Sequence, residues 1–153
     1  MILFLVEANN FLYSFPDDLI IRPSPNGDMK MIEYCKGEYI YRNYFIGYRR
    51  VNGIILILKN NKPVWIMTYE GGVSDITISD GSVNAINRFV RQNLARATIV
   101  QAIRGPSEFH NDKMNYQNRF FGSIHKFNGV ETVMGEGELL MYELNYSGSD
   151  VII

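Results

Sequence analysis

The chain has 153 residues, a formal net charge of −1 and a single cysteine. This length suits one domain with a hydrophobic core of its own. The near-neutral charge argues against an extended nucleic acid as the partner, because phosphate backbones require a basic surface. A lone cysteine excludes an internal disulfide and a cysteine-ligated zinc site. Aromatic residues make up 13% of the chain, and they dominate the candidate sites.

An apolar segment, residues 1–11, is the first predicted element. It has no basic flank and no cleavage site, so we expect neither a signal peptide nor a membrane span, and hence a cytoplasmic protein. The spacing of Leu5, Asn9 and Leu12 favours a helix over a strand. Residues 14–27, rich in proline and ending in Asn-Gly, are predicted to form a loop.

Three strands are predicted next, at residues 38–45, 54–58 and 64–69. The first alternates aromatic and polar residues, and the second is a continuous apolar run typical of a strand buried on both faces. A turn at residues 60–63 joins the second strand to the third, and Gly71-Gly72 is expected to end the third.

The clearest helix is predicted over residues 82–97, where apolar side chains recur at helical spacing behind Ser82 as the N-cap. Three more strands are expected at residues 116–121, 130–134 and 139–146. A glycine-rich turn joins the last two of these strands.

The second half of the sequence repeats the first. Aromatic, asparagine and glycine positions recur in order: Tyr41, Asn43, Phe45, Gly47, Asn52, Gly53, Trp65, Tyr69 and Gly71 as Tyr116, Asn118, Phe120, Gly122, Asn128, Gly129, Tyr142, Tyr146 and Gly148. We therefore predict one domain, 1–153, with repeats at about 1–78 and 79–153. Each repeat would be a helix-plus-three-strand unit, giving an α+β fold with pseudo-twofold symmetry and an antiparallel sheet. The seam between the repeats is the expected site.

Two arginines occupy matching places ahead of Pro/Gly turns, Arg22 and Arg104. A guanidinium fixed by a rigid turn suits recognition of a carboxylate or phosphate. The alternative is that each arginine only holds its own loop.

Six aromatic residues occupy matched strand positions: Tyr41, Trp65, Tyr69, Tyr116, Tyr142 and Tyr146. Residues at period two share one face of a sheet, so they would form either an aromatic wall for a planar ligand or a tyrosine-rich core.

Glu131 lies inside a predicted strand, where a charge is costly unless it is paired. Its counterpart in the first half is Ile55. We consider four roles for Glu131: a general acid or base, a ligand contact, a solvent-facing residue on an edge strand, or a partner of Lys126.

These residues resemble an uncharacterised bacterial and archaeal domain family. The similarity covers roughly residues 2–149. The segments that carry it include Tyr-Arg-Asn at 41–43 and Phe-Asn-Gly-Val-Glu at 127–131. In that family the domain stands alone or follows a helix-turn-helix regulator, which implies sensing of a small molecule. The family's first-half acid is replaced by Ile55 here.

The favoured function is non-catalytic binding of a planar, anionic, nucleotide-like ligand, held by the arginines, the matched aromatic residues and Glu131. Isoleucine, asparagine, lysine and tyrosine are abundant, which suggests an AT-rich genome such as that of a phage or a gut bacterium. In a phage, the protein could sequester a nucleotide signal of antiviral immunity. One alternative is a hydrolase or isomerase with Glu131 as acid or base, assisted by His110 or Tyr116. Another is a protein-interaction module such as an inhibitor or antitoxin. We expect no cofactor, no metal and no membrane partner, and we leave a homo-oligomer open.

Overall fold

The computed structural model describes residues 1–152, and a single antiparallel sheet of nine strands forms its framework. In chain order the strands are β1 (Arg22–Pro23), β2 (Lys30–Lys36), β3 (Tyr39–Gly47), β4 (Arg50–Lys59), β5 (Lys62–Val73), β6 (Glu108–His110), β7 (Asn115–Ser123), β8 (Lys126–Met134) and β9 (Leu140–Asp150). Their spatial order is β1-β2-β3-β4-β5-β9-β8-β7-β6. Two meanders, β3-β4-β5 and β7-β8-β9, therefore meet where β5 pairs with β9.

Helices form a minor part of the chain. They are α1 (Ile2–Leu12), the four-residue α2 (Asp17–Ile20) and α3 (Asp80–Leu94), and a short 3-10 turn covers Glu136–Glu138. The prediction of an α+β fold built from two helix-plus-three-strand units is therefore wrong, because the described chain is mostly β. Strands β1, β2 and β6 were not predicted from the sequence.

Pairing with neighbours explains why these strands carry only weak local signals. Strand β2 matches β3 over seven residue pairs, from Lys30 to Lys36, and its extended conformation depends on that partner. Strands β1 and β6 contain two and three residues, too short for an alternating pattern to appear. Strand propensity reflects the sheet around a segment more than the segment itself.

The two longer helices follow their hydrophobic spacing. The helix prediction at the N-terminus is confirmed, and Leu5, Asn9 and Leu12 lie buried on one side of α1. The cap prediction for α3 is wrong, since Ser79 caps the helix by accepting a hydrogen bond from the Ser82 amide at 3.2 Å. Helix α3 therefore starts at Asp80.

One face of the sheet, here called the covered face, packs against α1, α3 and the segment 95–107. On β5 the side chains of Trp65, Met67 and Tyr69 are buried in that core, whereas Thr68 and Glu70 at alternate positions are exposed. This alternation is typical of an antiparallel sheet with one solvated face.

The glycine pair predicted to end β5 lies inside it. Gly71 and Gly72 have φ of +147° and +144°, a region that favours glycine. A Cβ on Gly71 would lie 2.2 Å from the Glu143 carbonyl oxygen of β9. Gly71 therefore lets the two meanders approach closely at their junction, whereas a Cβ on Gly72 would lie 2.1 Å from the Arg49 carbonyl oxygen within the first meander. Within residues 1–152, the helices are too short or too polar to cross a bilayer.

Candidate ligand-binding cleft

A cleft of about 590 Å³ opens between the covered face of β2–β5, the segment that follows α1, and α3. Its volume lies within the range of small-molecule sites. Four of its buried lining residues carry polar side-chain groups, and these four are here called the floor: Asn43, Tyr69, Arg104 and Tyr142. Tyr69 and Tyr142 come from β5 and β9, so the floor includes the junction between the two meanders.

The floor is built around a buried ion pair between Arg104 and Glu131. Arg104 is 6% exposed and Glu131 is 0% exposed. The arginine donates from Nε at 2.7 Å and from Nη2 at 2.5 Å, both to Oε2 of the carboxylate. The hydroxyl of Tyr116 donates to the other oxygen, Oε1. Burial alone would lower the pKa of the Arg104 guanidinium, but the Glu131 carboxylate together with the nearby Tyr142 and Tyr116 outweighs burial and raises that pKa above its usual range.

The backbone around Arg104 is fixed by side chains of β7. Arg104 has φ of +65°, an uncommon conformation for a residue with a Cβ. The Asn118 amide group donates to the carbonyls of Ile103 and Gly105, each at 3.0 Å. The Gly105 amide donates to the Tyr116 hydroxyl at 3.1 Å. These three hydrogen bonds hold the strained backbone of Arg104 in place, and strained residues held in this way are common at binding sites.

Two polar groups of the floor have no protein partner within residues 1–152. Nη1 of Arg104 and the Tyr142 hydroxyl make no hydrogen bond there, yet neither is sealed from solvent. Both residues line the cleft. Burial raises the pKa of the Tyr142 phenol, so this hydroxyl stays protonated at neutral pH. The cleft therefore ends in free hydrogen-bond donors.

Tyr69 forms the side of the floor next to Arg104. Its ring centroid lies 5.4 Å from the Arg104 guanidinium carbon, a cation–π distance. Its hydroxyl donates to Oδ1 of Asn43 at 2.8 Å. The Asn43 amide group donates to Tyr13, 3.3 Å away, and Tyr13 contacts the Tyr41 hydroxyl at 3.1 Å. These bonds orient the Tyr69 ring before any ligand arrives.

The walls of the cleft are aromatic and its outer part is cationic. Phe15, Phe45 and Tyr48 line the walls. Lys30 and Arg88 are exposed at the cleft and form no ion pair within residues 1–152. A third wall cation, Arg91 of α3, pairs with Asp17.

The structure brings five of the nine predicted site residues together. Arg104, Tyr69 and Tyr142 lie at the floor, and Glu131 and Tyr116 lie directly behind Arg104. Glu131 pairs with Arg104 and has no contact with solvent, whereas a solvent-facing residue on an edge strand would be exposed.

The other four predicted residues lie elsewhere. Arg22 is half exposed on β1, where it pairs with Glu33, and it does not line the cleft. Trp65 is buried against Phe127 and donates to the Ile124 carbonyl at 2.8 Å. Tyr41 is fully buried, and Tyr146 donates to Asn118 at 2.6 Å.

Sequence reasoning did not select the wall and outer residues. Lys30 lies on the unpredicted strand β2, and Phe15 and Tyr48 lie in loops. Arg88 carried the one usable signal, since it lies off the apolar stripe of α3. A cation on the polar side of a helix is normally a solvated residue, so that signal alone does not indicate a site.

Comparison with known proteins gives one match. A family model described as a domain of unknown function, DUF5680, matches residues 43–151. The matched stretch includes Arg104, Glu131 and Tyr142, whereas α1 and Lys30 lie before it. No curated protein and no solved structure matches the chain.

Proposed function

The chain belongs to the DUF5680 family, a domain of unknown function, and we propose that it binds a small, planar, anionic ligand of nucleotide kind in the cleft above Arg104. One observation carries the proposal. The Arg104 guanidinium is held by Glu131 on one side, while its Nη1 has no partner within residues 1–152 and the residue lines the cleft. An acceptor of a bound ligand can therefore use this donor without breaking a hydrogen bond within residues 1–152, and hydrogen bonds from charged donors are among the stronger ones.

The charge of the cleft supports an anion. Arg104 and Arg91 each have a carboxylate partner, but Lys30 and Arg88 have none within residues 1–152. Two free cations beside a concave surface raise the local concentration of anionic ligands. A single phosphate would match them in charge.

The shape and the lining support a planar ligand. Phe15 follows α1, Phe45 lies on β3, and Tyr48 lies in the turn between β3 and β4. Aromatic walls with a few convergent polar groups are typical of small-molecule sites. Stacking on such rings contributes about 1–3 kcal/mol per base in nucleic-acid complexes.

Glu131 is better placed to orient Arg104 than to transfer protons. Both of its oxygens accept hydrogen bonds from Arg104 or Tyr116, and it does not line the cleft. A general acid or base must reach the proton that it moves, directly or through one water. This geometry favours binding over the enzymatic alternative.

A binding role also fits the relatives implied by the sequence resemblance. The resemblance implies bacterial and archaeal relatives in which the domain stands alone or follows a helix-turn-helix regulator. A domain that responds to a small molecule would supply the signal that such a regulator needs.

Thermal denaturation with a panel of nucleoside 5′-monophosphates and dicarboxylates tests the proposal. A ligand present at 100 times its Kd should stabilise the protein by about 2.7 kcal/mol. Arg88→Gln should reduce that stabilisation, whereas the matched control Arg22→Gln, outside the cleft, should not.

Two results would contradict the proposal. One is that no nucleotide or dicarboxylate raises the unfolding midpoint. The other is that Arg88→Gln and Arg22→Gln reduce the stabilisation equally. Mass spectrometry of the ligand after incubation separates binding from catalysis, since a binder returns it unchanged.

A further inference from the structure

Resting on the proposed function, we infer that the nucleotide enters base first, with the O6–N7 edge of a guanine-type base on Arg104 and its phosphate at Lys30 and Arg88. Three features of the cleft support this orientation: the charge of its floor, the Arg104 donors that Glu131 leaves unused, and the exposure of Lys30 and Arg88, which form no ion pair within residues 1–152.

The floor is electrically balanced. Glu131 lies 2.7 Å from Nε of Arg104, and both residues are buried. A phosphate placed there would bring a second anion next to the Glu131 carboxylate in a site with little solvent, which is unfavourable. An uncharged acceptor meets no such cost. The deepest group of the ligand is therefore a carbonyl or ring nitrogen.

The free edge of Arg104 carries donors only. A guanidinium has five N–H groups and no acceptor. The bonds to Glu131 use Nε and one proton of Nη2, which leaves the end formed by Nη1 and the second Nη2 proton. That end forms a fork for two adjacent acceptors. Of the two purines, guanine presents such a pair at O6 and N7.

Adenine presents a different pattern on the same edge. Its exocyclic amino group is a donor beside N7, so it would face a donor of Arg104. A well-placed bidentate pair discriminates between bases by about 5-fold to 150-fold. The Tyr142 hydroxyl, which also lacks a protein partner within residues 1–152, adds a further contact at the floor.

The outer cations complete the orientation. Lys30 and Arg88 are exposed, whereas Arg104 is 6% exposed, so the two unpaired charges lie nearer to solvent than the floor does. A phosphate carries about −1.5 to −2 charge at neutral pH. It is best placed at that outer position, where it stays partly hydrated.

Isothermal titration calorimetry with GMP, AMP, guanosine and inorganic phosphate tests this orientation. We expect GMP to bind at least about 5-fold tighter than AMP. Arg88→Gln should weaken GMP and leave guanosine unchanged, because guanosine lacks the phosphate. Tyr142→Phe should weaken GMP and guanosine by the same factor. Arg104→Lys, which cannot form the fork, should remove the preference for GMP over AMP.

If Arg104→Lys does not fold, the ratio of the GMP and AMP affinities of the unmodified protein and the effect of Tyr142→Phe still test the base-first orientation. Equal affinities for GMP and AMP, both reduced by Arg88→Gln, would overturn the recognition of guanine by Arg104 while leaving the proposed function intact. Phosphate binding that depends on Tyr142 would overturn the orientation. Failure of every nucleotide to bind would overturn both proposals.

Discussion

The two meanders share one arrangement of tyrosine, glycine and asparagine, but they differ in what surrounds it. In each meander, a tyrosine on the last strand lies over a glycine on the middle strand, and its hydroxyl donates a hydrogen bond to an asparagine on the first strand. The residues are Tyr69, Gly53 and Asn43 in the first meander, and Tyr146, Gly129 and Asn118 in the second. The donor–acceptor distances are 2.8 Å and 2.6 Å. Duplication of an ancestral unit stays a prediction, but these contacts match residue for residue.

The difference lies two residues beyond the glycine on the middle strand of each meander. Asn43 pairs with Ile55 across β3 and β4, and Asn118 pairs with Glu131 across β7 and β8. Over the second meander, the segment around Arg104 bonds to the Asn118 amide group and fills the space. Over the first, the equivalent space stays open as the cleft. A shared scaffold thus supports packing in one half and a binding site in the other.

The largest effect should come from alkaline pH, which acts on the matched tyrosines of both meanders. Burial raises the pKa of the Tyr69 and Tyr146 phenols. Each therefore stays protonated in the folded protein at pH values at which it ionises in the unfolded chain. Their contribution to stability is complete below pH 10 and is lost above it. Each such tyrosine should lower the free energy of unfolding by about 1.4 kcal/mol per pH unit.

Ultraviolet titration of tyrosinate, followed together with circular dichroism, checks this. The buried phenols should ionise only as the protein unfolds. Ionisation of all 10 tyrosines near pH 10 in a protein that remains folded would contradict it.

Removing the charge that distinguishes the second meander should be the most damaging substitution. Glu131→Gln leaves the Arg104 charge buried without its partner, and we expect a loss of about 3–5 kcal/mol. Ile55→Val at the matched position of the first meander should cost only about 0.5–1.5 kcal/mol. Urea denaturation measures both.

A double variant, Glu131→Leu with Arg104→Met, should recover most of the stability lost by Glu131→Gln, because no unpaired charge remains. If Glu131→Gln costs no more than Ile55→Val, the ion pair is not what separates the two halves.

Filling the two glycine positions should produce similar losses of stability with different effects on binding. A Cβ at either glycine would lie 2.2 Å from the tyrosine that covers it. Gly53→Ala and Gly129→Ala should each cost about 1–3 kcal/mol. The cost should be greater at Gly129, where the Arg119 carbonyl also lies within 2.6 Å.

Binding should separate these two variants. Gly53→Ala displaces Tyr69, which lines the cleft, and so should weaken nucleotide binding, whereas Gly129→Ala should leave it unchanged. Equal effects on binding would place the ligand away from Tyr69.

The smallest effect should come from the tyrosine hydroxyls. Tyr69→Phe and Tyr146→Phe each leave an asparagine oxygen without its donor, at a cost of about 1–2 kcal/mol. Thermal denaturation should give nearly equal losses, because the two hydrogen bonds are alike. A loss confined to one variant would show that the two arrangements are not equivalent.

Local patterns in the sequence predicted six strands and the two longer helices, because the hydrophobic spacing and the turn residues that specify them lie within each segment. They did not predict β2, whose conformation depends on β3, nor the location of the cleft. Arg22 and Arg104 look alike in sequence, yet one is half exposed and the other buried. Only long-range packing separates them, since Asn118 and Glu131 lie far along the chain from Arg104. The charge of Glu131 inside a strand was the one local sign of that packing.

Nuclear magnetic resonance of the isotope-labelled protein titrated with GMP tests the central claim most directly. We expect the Arg104 Nε signal and the backbone signals of Asn43, Tyr69 and Tyr142 to shift together and to saturate. The Arg22 Nε signal and the amides of Asn52 and Asn128 on the opposite face of the sheet should not move. Shifts confined to that opposite face, or none at saturating GMP, would contradict the assignment of the cleft as the binding site.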